Sequence, residues 1–309
     1  MDIRKNKSRW DFNRGAQPKM HVDEMTINIP LVRRLLAEQY PHLADLEIVA
    51  IHSTGTVNVI FRLGNKFTVR LPRLEKYAES LDTECTWLPR LAPTLSLEIP
   101  KPIACGKPTD WYPCPWAVYG WIEGAPYRDD LIRDESQVAH DLASFIRELR
   151  SVDGAEAPHT GRRPLIELDL ETRSAIESCG NVIDTNAASV AWERSLESPV
   201  WDGSPVWIHG DLLRTNLLVR DGRLRAVIDF GEAGVGDPAM DVIPAWSVFN
   251  QSGREAFRRA LEVEEATWSR ARGYALHQAL PIIPYYSKSN PEFTAMAKRT
   301  VEEILKEIN

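Results

Sequence analysis

Residues 206–241 constrain this 309-residue chain more than any other stretch. Within them, residues 217–220 and 223–228 are apolar, β-branched runs joined by Asp221-Gly222, a pair suited to the two positive φ angles of a tight hairpin turn. In that register Arg220 faces Arg223, Leu218 faces Arg225 and Asn216 faces Val227. Asp229 then leaves the same face as Asn216, diagonally across at roughly 7–8 Å between backbones. An amide and a carboxylate thus meet at the open end of one hairpin, and His209-Gly210-Asp211 brings a second carboxylate there. Hard cations such as Mg2+ take oxygen ligands of this kind, with phosphates supplying others. The stretch reads as a phosphoryl-transfer site.

Asp211 precedes Asn216 by five residues, as Asp and Asn are spaced in the kinase catalytic loop HRDxxxxN, and Asp229-Phe230-Gly231 spells the metal-binding DFG. With Gly210 in place of arginine, HGDxxxxN followed by IDFG…GDPAxD resembles the aminoglycoside phosphotransferase family, which includes macrolide kinases. The resemblance runs from Asp23 to the C-terminus, strongest over residues 206–241 and weakest in the phosphate loop. It implies an α+β, two-lobed protein-kinase-like fold: an extension over residues 1–20, a nucleotide-binding sheet lobe over 21–120 and a mainly helical lobe over 121–309. It implies that Asp211 accepts or orients the proton of an acceptor hydroxyl, and that Asn216 and Asp229 hold Mg2+ against the phosphates of ATP or GTP. His209 braces the loop, Gly210 permits its tight backbone, Asp241 supports it, and Asp237 is structural or faces substrate. Protein kinases carry a lysine two residues after the catalytic Asp, where this chain has Leu213; Arg214 is expected to supply that charge near the γ-phosphate.

The first lobe follows the same template with two departures. Ser53-Thr54-Gly55-Thr56 lies between two strands in the place of the phosphate-covering loop, but with one glycine rather than three. The next strand, 66–71, puts Phe67, Val69 and Leu71 on one face and Thr68 and Arg70 on the other. Arg70 therefore stands where a phosphate-binding lysine is usual, and offers fixed charge with bidentate geometry; a surface arginine is the plainer reading. Residues 75–88 form a helix with Leu81, Cys85 and Leu88 on its apolar stripe, stopped by Pro89. Glu84, with Glu79 as rival, is its candidate partner for Arg70. The strand 116–122 runs into Glu123-Gly124 like the linker between kinase lobes, where backbone groups of Val118, Tyr119 and Trp121 are expected to meet a purine.

Elsewhere, Asn28 and Pro30 open a helix burying Leu31, Leu35 and Leu36. Asp134 and Gln137 open another over Val138, Leu142, Phe145, Ile146 and Leu149. Helices follow over 256–261, 266–280 and 291–308. Residues 1–19 read as a flexible extension, with Met20 a possible start.

Other chemistries lack their signatures: there is no GxSxG, HExxH or GxxxxGK[ST]. The net charge of −7 is uneven. Residues 1–120 carry 16 Lys/Arg against 13 Asp/Glu, and the remainder 21 against 31. A basic nucleic-acid footprint is absent, and no apolar run reaches the ~18–20 residues of a membrane span. Cys85, Cys105, Cys114 and Cys179 show no metal-ligand spacing and fit reduced thiols in a cytoplasm. The expected partners are a nucleotide and a small-molecule hydroxyl acceptor. An aminoglycoside leads, with Glu123, Asp129, Asp130 and Asp134 available to collect ammonium groups. A macrolide, a homoserine- or choline-like metabolite, and a non-catalytic nucleotide-binding role stay open.

Overall fold

The computed structural model describes residues 25–51 and 57–308, which form two compact units. One comprises the chain up to Pro93 with Glu98–Ala125, and the other Thr94–Leu97 with everything from Pro126 onward. The extension, the start at Met20, and Thr54, Gly55 and Thr56 of the phosphate loop lie outside the described residues.

The first unit is built on five antiparallel strands: β1 (Ile48–Ile51), β2 (Asn58–Leu63), β3 (Phe67–Pro72), β4 (Pro102–Gly106) and β5 (Trp116–Gly120), in the order β1-β2-β3-β5-β4. Helix α1 (Ile29–Gln39) begins where Asn28 Oδ1 accepts the Leu31 N–H at 3.0 Å, and Pro30 sits in the first turn, where no donor is needed. Its buried positions are Val32, Leu35 and Leu36; Leu31, expected in the core, is only half-buried. They join Phe61, Leu63, Val69, Leu71, Trp116 and Val118 in one apolar cluster, each full burial contributing about 1.5–3 kcal/mol. The period-two alternation of β3 that buries Val69 and Leu71 sends Arg70 the other way, where it meets α2 (Ala78–Leu91).

Two readings of α2 are corrected. The helix does not stop at Pro89 but runs to Leu91, with the Ala92 N–H still bonded to Leu88 O at 3.0 Å; the proline removes one donor in the last turn without ending it. Cys85 is not on the buried stripe, which consists of Leu81, Glu84, Leu88 and Leu91. Instead Cys85 forms a disulfide with Cys105 of β4, their Cα atoms 6.4 Å apart. Only Cys114 and Cys179 are free thiols, both buried.

The second unit holds α3 (Glu135–Arg150), α4 (Asp169–Cys179), α5 (Thr185–Leu196), α6 (Pro244–Ser247), α7 (Gln251–Leu261), α8 (Glu265–Tyr285) and α9 (Pro291–Ile308). Asp134 Oδ1 caps α3 through the Ser136 and Gln137 N–H groups. Helix α8 passes through Pro281 and Pro284, five residues beyond its expected end at Leu280. Among these helices lie two pairs of short strands: β6 (Val206–Ile208) with β9 (Gly234–Gly236), and β7 (Leu217–Arg220) with β8 (Arg223–Val227). No helix among the described residues is long and apolar enough to cross a membrane.

Candidate active site

The β7–β8 hairpin turns at Asp221 (φ 56°) and Gly222 (φ 78°), as the dipeptide requires. Its register differs from the strict two-residue count. Arg220 faces Arg223 and Val219 faces Leu224, but a bulge then pairs Leu218 with Ala226 and Leu217 with Val227. Strict pairing would set buried Leu218 against Arg225; the extra residue lets Arg225 stay exposed while Leu217, Leu218, Val219, Leu224, Ala226 and Val227 are all buried. Asn216 consequently faces Ile228, whose N–H donates to Asn216 O at 2.9 Å, rather than Val227. Asp229 follows with a left-handed backbone, φ 70°, a conformation that costs a non-glycine residue roughly 1–2 kcal/mol and concentrates at functional sites.

The catalytic-loop residues emerge from β6, which is anchored to β9 by Ile208 opposite Gly234 and Val206 opposite Gly236. Residues 158–160 run alongside: Val235 N–H donates to Pro158 O at 2.8 Å and Thr160 N–H to Val235 O at 3.0 Å. The fully buried Asp241 carboxylate accepts the His209 N–H at 2.8 Å and the Gly210 N–H at 2.9 Å. Asp241 thus supports the loop through its backbone. Gly210 has φ 81°, and a Cβ on it would lie 2.8 Å from the Glu232 carbonyl oxygen, so this position requires glycine. His209 is buried; its Nδ1 accepts the Asp211 N–H at 3.2 Å, which leaves Nε2–H to donate to Ile228 O at 3.2 Å. Burial lowers its pKa and keeps the ring neutral. It braces the loop against the DFG segment, with its ring 4.6 Å from that of Phe230.

Asp211 is gripped by two amides. Asn216 Nδ2 donates to Asp211 Oδ2 at 3.0 Å and to its backbone carbonyl at 2.8 Å, and Gln278 Nε2 donates to Asp211 Oδ1 at 3.1 Å. Burial, followed by the charges of Asp229 and Glu232, pushes its pKa up to about 7; Arg162 and the Asn216 hydrogen bond act in the opposite direction. The residues fit a divalent cation. With its NH2 spent on Asp211, Asn216 keeps its oxygen as the atom able to ligate a metal, and the charges of Asp229 and Glu232 reach Asp211. Among the described residues no group of three or more His, Cys, Asp or Glu is placed to hold a metal ion; Mg2+ commonly takes only one or two protein oxygens, with phosphates supplying others.

Arg214 is placed otherwise than expected. Its guanidinium bonds Asp129 through two nitrogens, at 2.8 and 3.0 Å, and the Val248 carbonyl at 3.0 Å. It is committed there, and the cation whose charge reaches Asp211 is Arg162. Asp237 caps the turn at Ala239 and pairs with Arg270 at 2.9 Å, both largely buried.

In the first unit, Arg70 Nη1 meets both carboxylate oxygens of Glu84, at 2.8 and 2.9 Å. Tyr119 Oη donates to the same carboxylate. Glu84 is 1% exposed and Arg70 8%; Glu79 does not take this place. The purine-contacting backbone is corrected. Val118 and Tyr119 lie in β5, flanked by β3 on one side and β4 on the other, so the sheet consumes their backbone groups. The Trp121 N–H donates to Lys66 O at 2.7 Å, and its ring is covered by the Arg62 guanidinium at 3.5 Å.

Gln278 and Arg162 carry no sequence signal. Gln278 sits inside a helix without a motif, and Arg162 follows Gly161, whose φ of 100° turns the chain after its pairing with β9.

The chain is similar in sequence and fold to known proteins. The Phosphotransferase enzyme family (APH) matches residues 48–274. The chain is 25% identical over 205 residues to the uncharacterized protein YcbJ of Bacillus subtilis, covering 61% of this chain and 65% of that one. It is 27% identical over 119 residues to an aminoglycoside 3'-phosphotransferase of Escherichia coli, covering 36% and 42%. The chain thus spans less than two thirds of either relative. Among solved structures, the GDP and kanamycin complex of APH(2")-IIIa superposes with a TM-score of 0.70 at 19% identity, over 90% of this chain and 98% of that one. Macrolide 2'-phosphotransferase MphH from Brachybacterium faecium gives 0.58 at 20%, over 88% and 97%. The fold is therefore kinase-like, with an antiparallel N-terminal sheet and a helical C-terminal region, and the chain belongs to the phosphotransferase enzyme family.

Proposed function

We propose that this phosphotransferase moves the γ-phosphate of ATP or GTP to a hydroxyl of a small molecule. The supporting observation is the Asp211 carboxylate, fixed by Asn216 and Gln278 beside Asp229. Phosphoryl transfer asks the protein mainly for an oriented hydroxyl and neutralised charge. Asp211 orients the hydroxyl and takes its proton. Asn216 and Asp229 hold Mg2+, which neutralises phosphate charge when bound. Arg70, held by Glu84, offers a cation to the nucleotide, and the backbone that follows Trp121 is the remaining candidate for the base. The nucleotides named in the APH(2") complexes, GDP, ADP and ATP, agree with such a donor.

The acidic residues expected to collect ammonium groups have partners: Asp129 is paired with Arg214, Asp130 with Arg128, and Asp134 caps α3; Glu123 lies 3.6 Å from Arg62. The cavity that Gln278 lines with Arg214, Ile243, Phe293 and Met296 holds about 20 Å³, room for about one water, so its walls select no acceptor class. The test is Mg2+-dependent turnover of ATP and GTP with macrolides, aminoglycosides, homoserine and choline, run beside Asp211→Asn. Acceptor-dependent turnover is expected, falling by about 10²–10⁴-fold in the variant. Full turnover in Asp211→Asn, or none with any acceptor, overturns the proposal.

A further inference from the structure

We propose that Gln278 is a positioning residue of the transfer step, fixing one oxygen of Asp211. This rests on the phosphotransfer reading above. Each Asp211 oxygen is held by a different amide: Oδ2 by Asn216, five residues on, and Oδ1 by Gln278, 67 residues on, from α8. A carboxylate held at one oxygen can still swing about its Cβ–Cγ bond; held at both, it cannot. The two holds are not equivalent, because Asn216 also carries the oxygen proposed to ligate Mg2+, whereas Gln278 comes from α8 and holds the carboxylate alone. Gln278 therefore keeps the carboxylate plane fixed whatever Asn216 does.

Gln278→Met keeps the length and packing and removes the amide. The measurements are kcat and KM for nucleotide and acceptor, together with acceptor-free hydrolysis of the nucleotide by water, on wild type, Gln278→Met and Gln278→Glu. Gln278→Met is expected to unfold at the wild-type temperature and to leave the nucleotide KM unchanged. It lowers kcat about tenfold for transfer and hydrolysis alike, with the acceptor KM little changed. Gln278→Glu sets a carboxylate against Asp211 and falls further. Wild-type kinetics in Gln278→Met, with Asp211→Asn inactive, overturns this inference and leaves the phosphotransfer reading intact. An inactive wild type defeats that reading instead. The crystal structure of Gln278→Met then decides the positioning role: a rotated Asp211 carboxylate upholds it, and an unmoved one overturns it.

Discussion

Replacing Glu84 with alanine tests whether the ion pair in the first unit is a fixture of the fold or an ornament. Glu84 has no exposed side-chain surface, and Arg70 has about a tenth. The Tyr119 hydroxyl shares the carboxylate. Deleting it leaves the guanidinium facing the space that the carboxylate filled, and removing one partner of a buried pair costs about 3–5 kcal/mol. Against a total stability of about 5–15 kcal/mol for a domain, that is a fifth or more. The assay is urea unfolding followed by tryptophan fluorescence, alongside nucleotide affinity by calorimetry. With m near 2–3 kcal/mol/M, the midpoint falls by about 1–2 M. The double variant Arg70→Met, Glu84→Leu replaces charge with apolar volume and recovers most of the loss, since buried pairs are often no better than their hydrophobic replacements. It does not recover nucleotide affinity, because the cation is gone. A Glu84→Ala midpoint within 0.3 M of wild type, or a double variant no more stable than the single, refutes the reasoning.

Asp211→Asn removes turnover and also changes the dependence of stability on pH. Burial pushes the folded carboxyl up to about 7, against an ordinary value of 3.8. Ionisation is therefore disfavoured in the folded state, and wild type loses stability relative to the variant as pH rises from about 4 to about 7, by up to about 4 kcal/mol; parallel stability–pH curves contradict this. His277 behaves oppositely. Burial, followed by Arg162, lowers its pKa to about 4, so its contribution is present above pH 6.5 and lost as pH falls towards 4, by about 2 kcal/mol. His277→Gln flattens that acid limb in thermal scans. Gly210→Ala forces a Cβ towards the Glu232 carbonyl at φ 81°. Its kcat drops at least about tenfold for a stability loss of about 1–2 kcal/mol; a fully active variant means that the loop has slack.

What was legible in the sequence was local. The Asp221-Gly222 turn is written in two residues, the Asn28 cap in one, and the facing of Arg70 in the alternation of one strand. The Arg70–Glu84 pair was within reach because strand period and helix period each leave few choices. The hairpin register failed by one residue because the bulge answers to burial on the rest of the unit, which a residue count cannot see. Pro89 is no helix stop, and the helix expected over 266–280 runs on through Pro281: tertiary packing holds both helices through the loss of single donors. Helices α4 and α5 escaped notice because they bury few residues, among them Thr172, Ala188 and Ser195, that do not announce an apolar stripe. The disulfide, Arg162 and Gln278 depend on segments meeting across the fold. Arg214 misled for the reverse reason: its place in the chain is beside Asp211, but its guanidinium is anchored to Asp129 and Val248.

The catalytic loop has a consequence for how the protein is made. Asp211 is translated 67 residues before Gln278, and the loop N–H groups wait 32 and 31 residues for Asp241. At about 5–20 residues per second, the interval between the ribosome adding Asp211 and adding Gln278 is roughly 3–13 s. Until Gln278 is added, a nascent chain already carries every residue of the HGD and DFG motifs but lacks one of the two amides that fix Asp211. A chain interrupted between Asp241 and Gln278 thus has its loop supported while the Asp211 carboxylate is held by one amide instead of two.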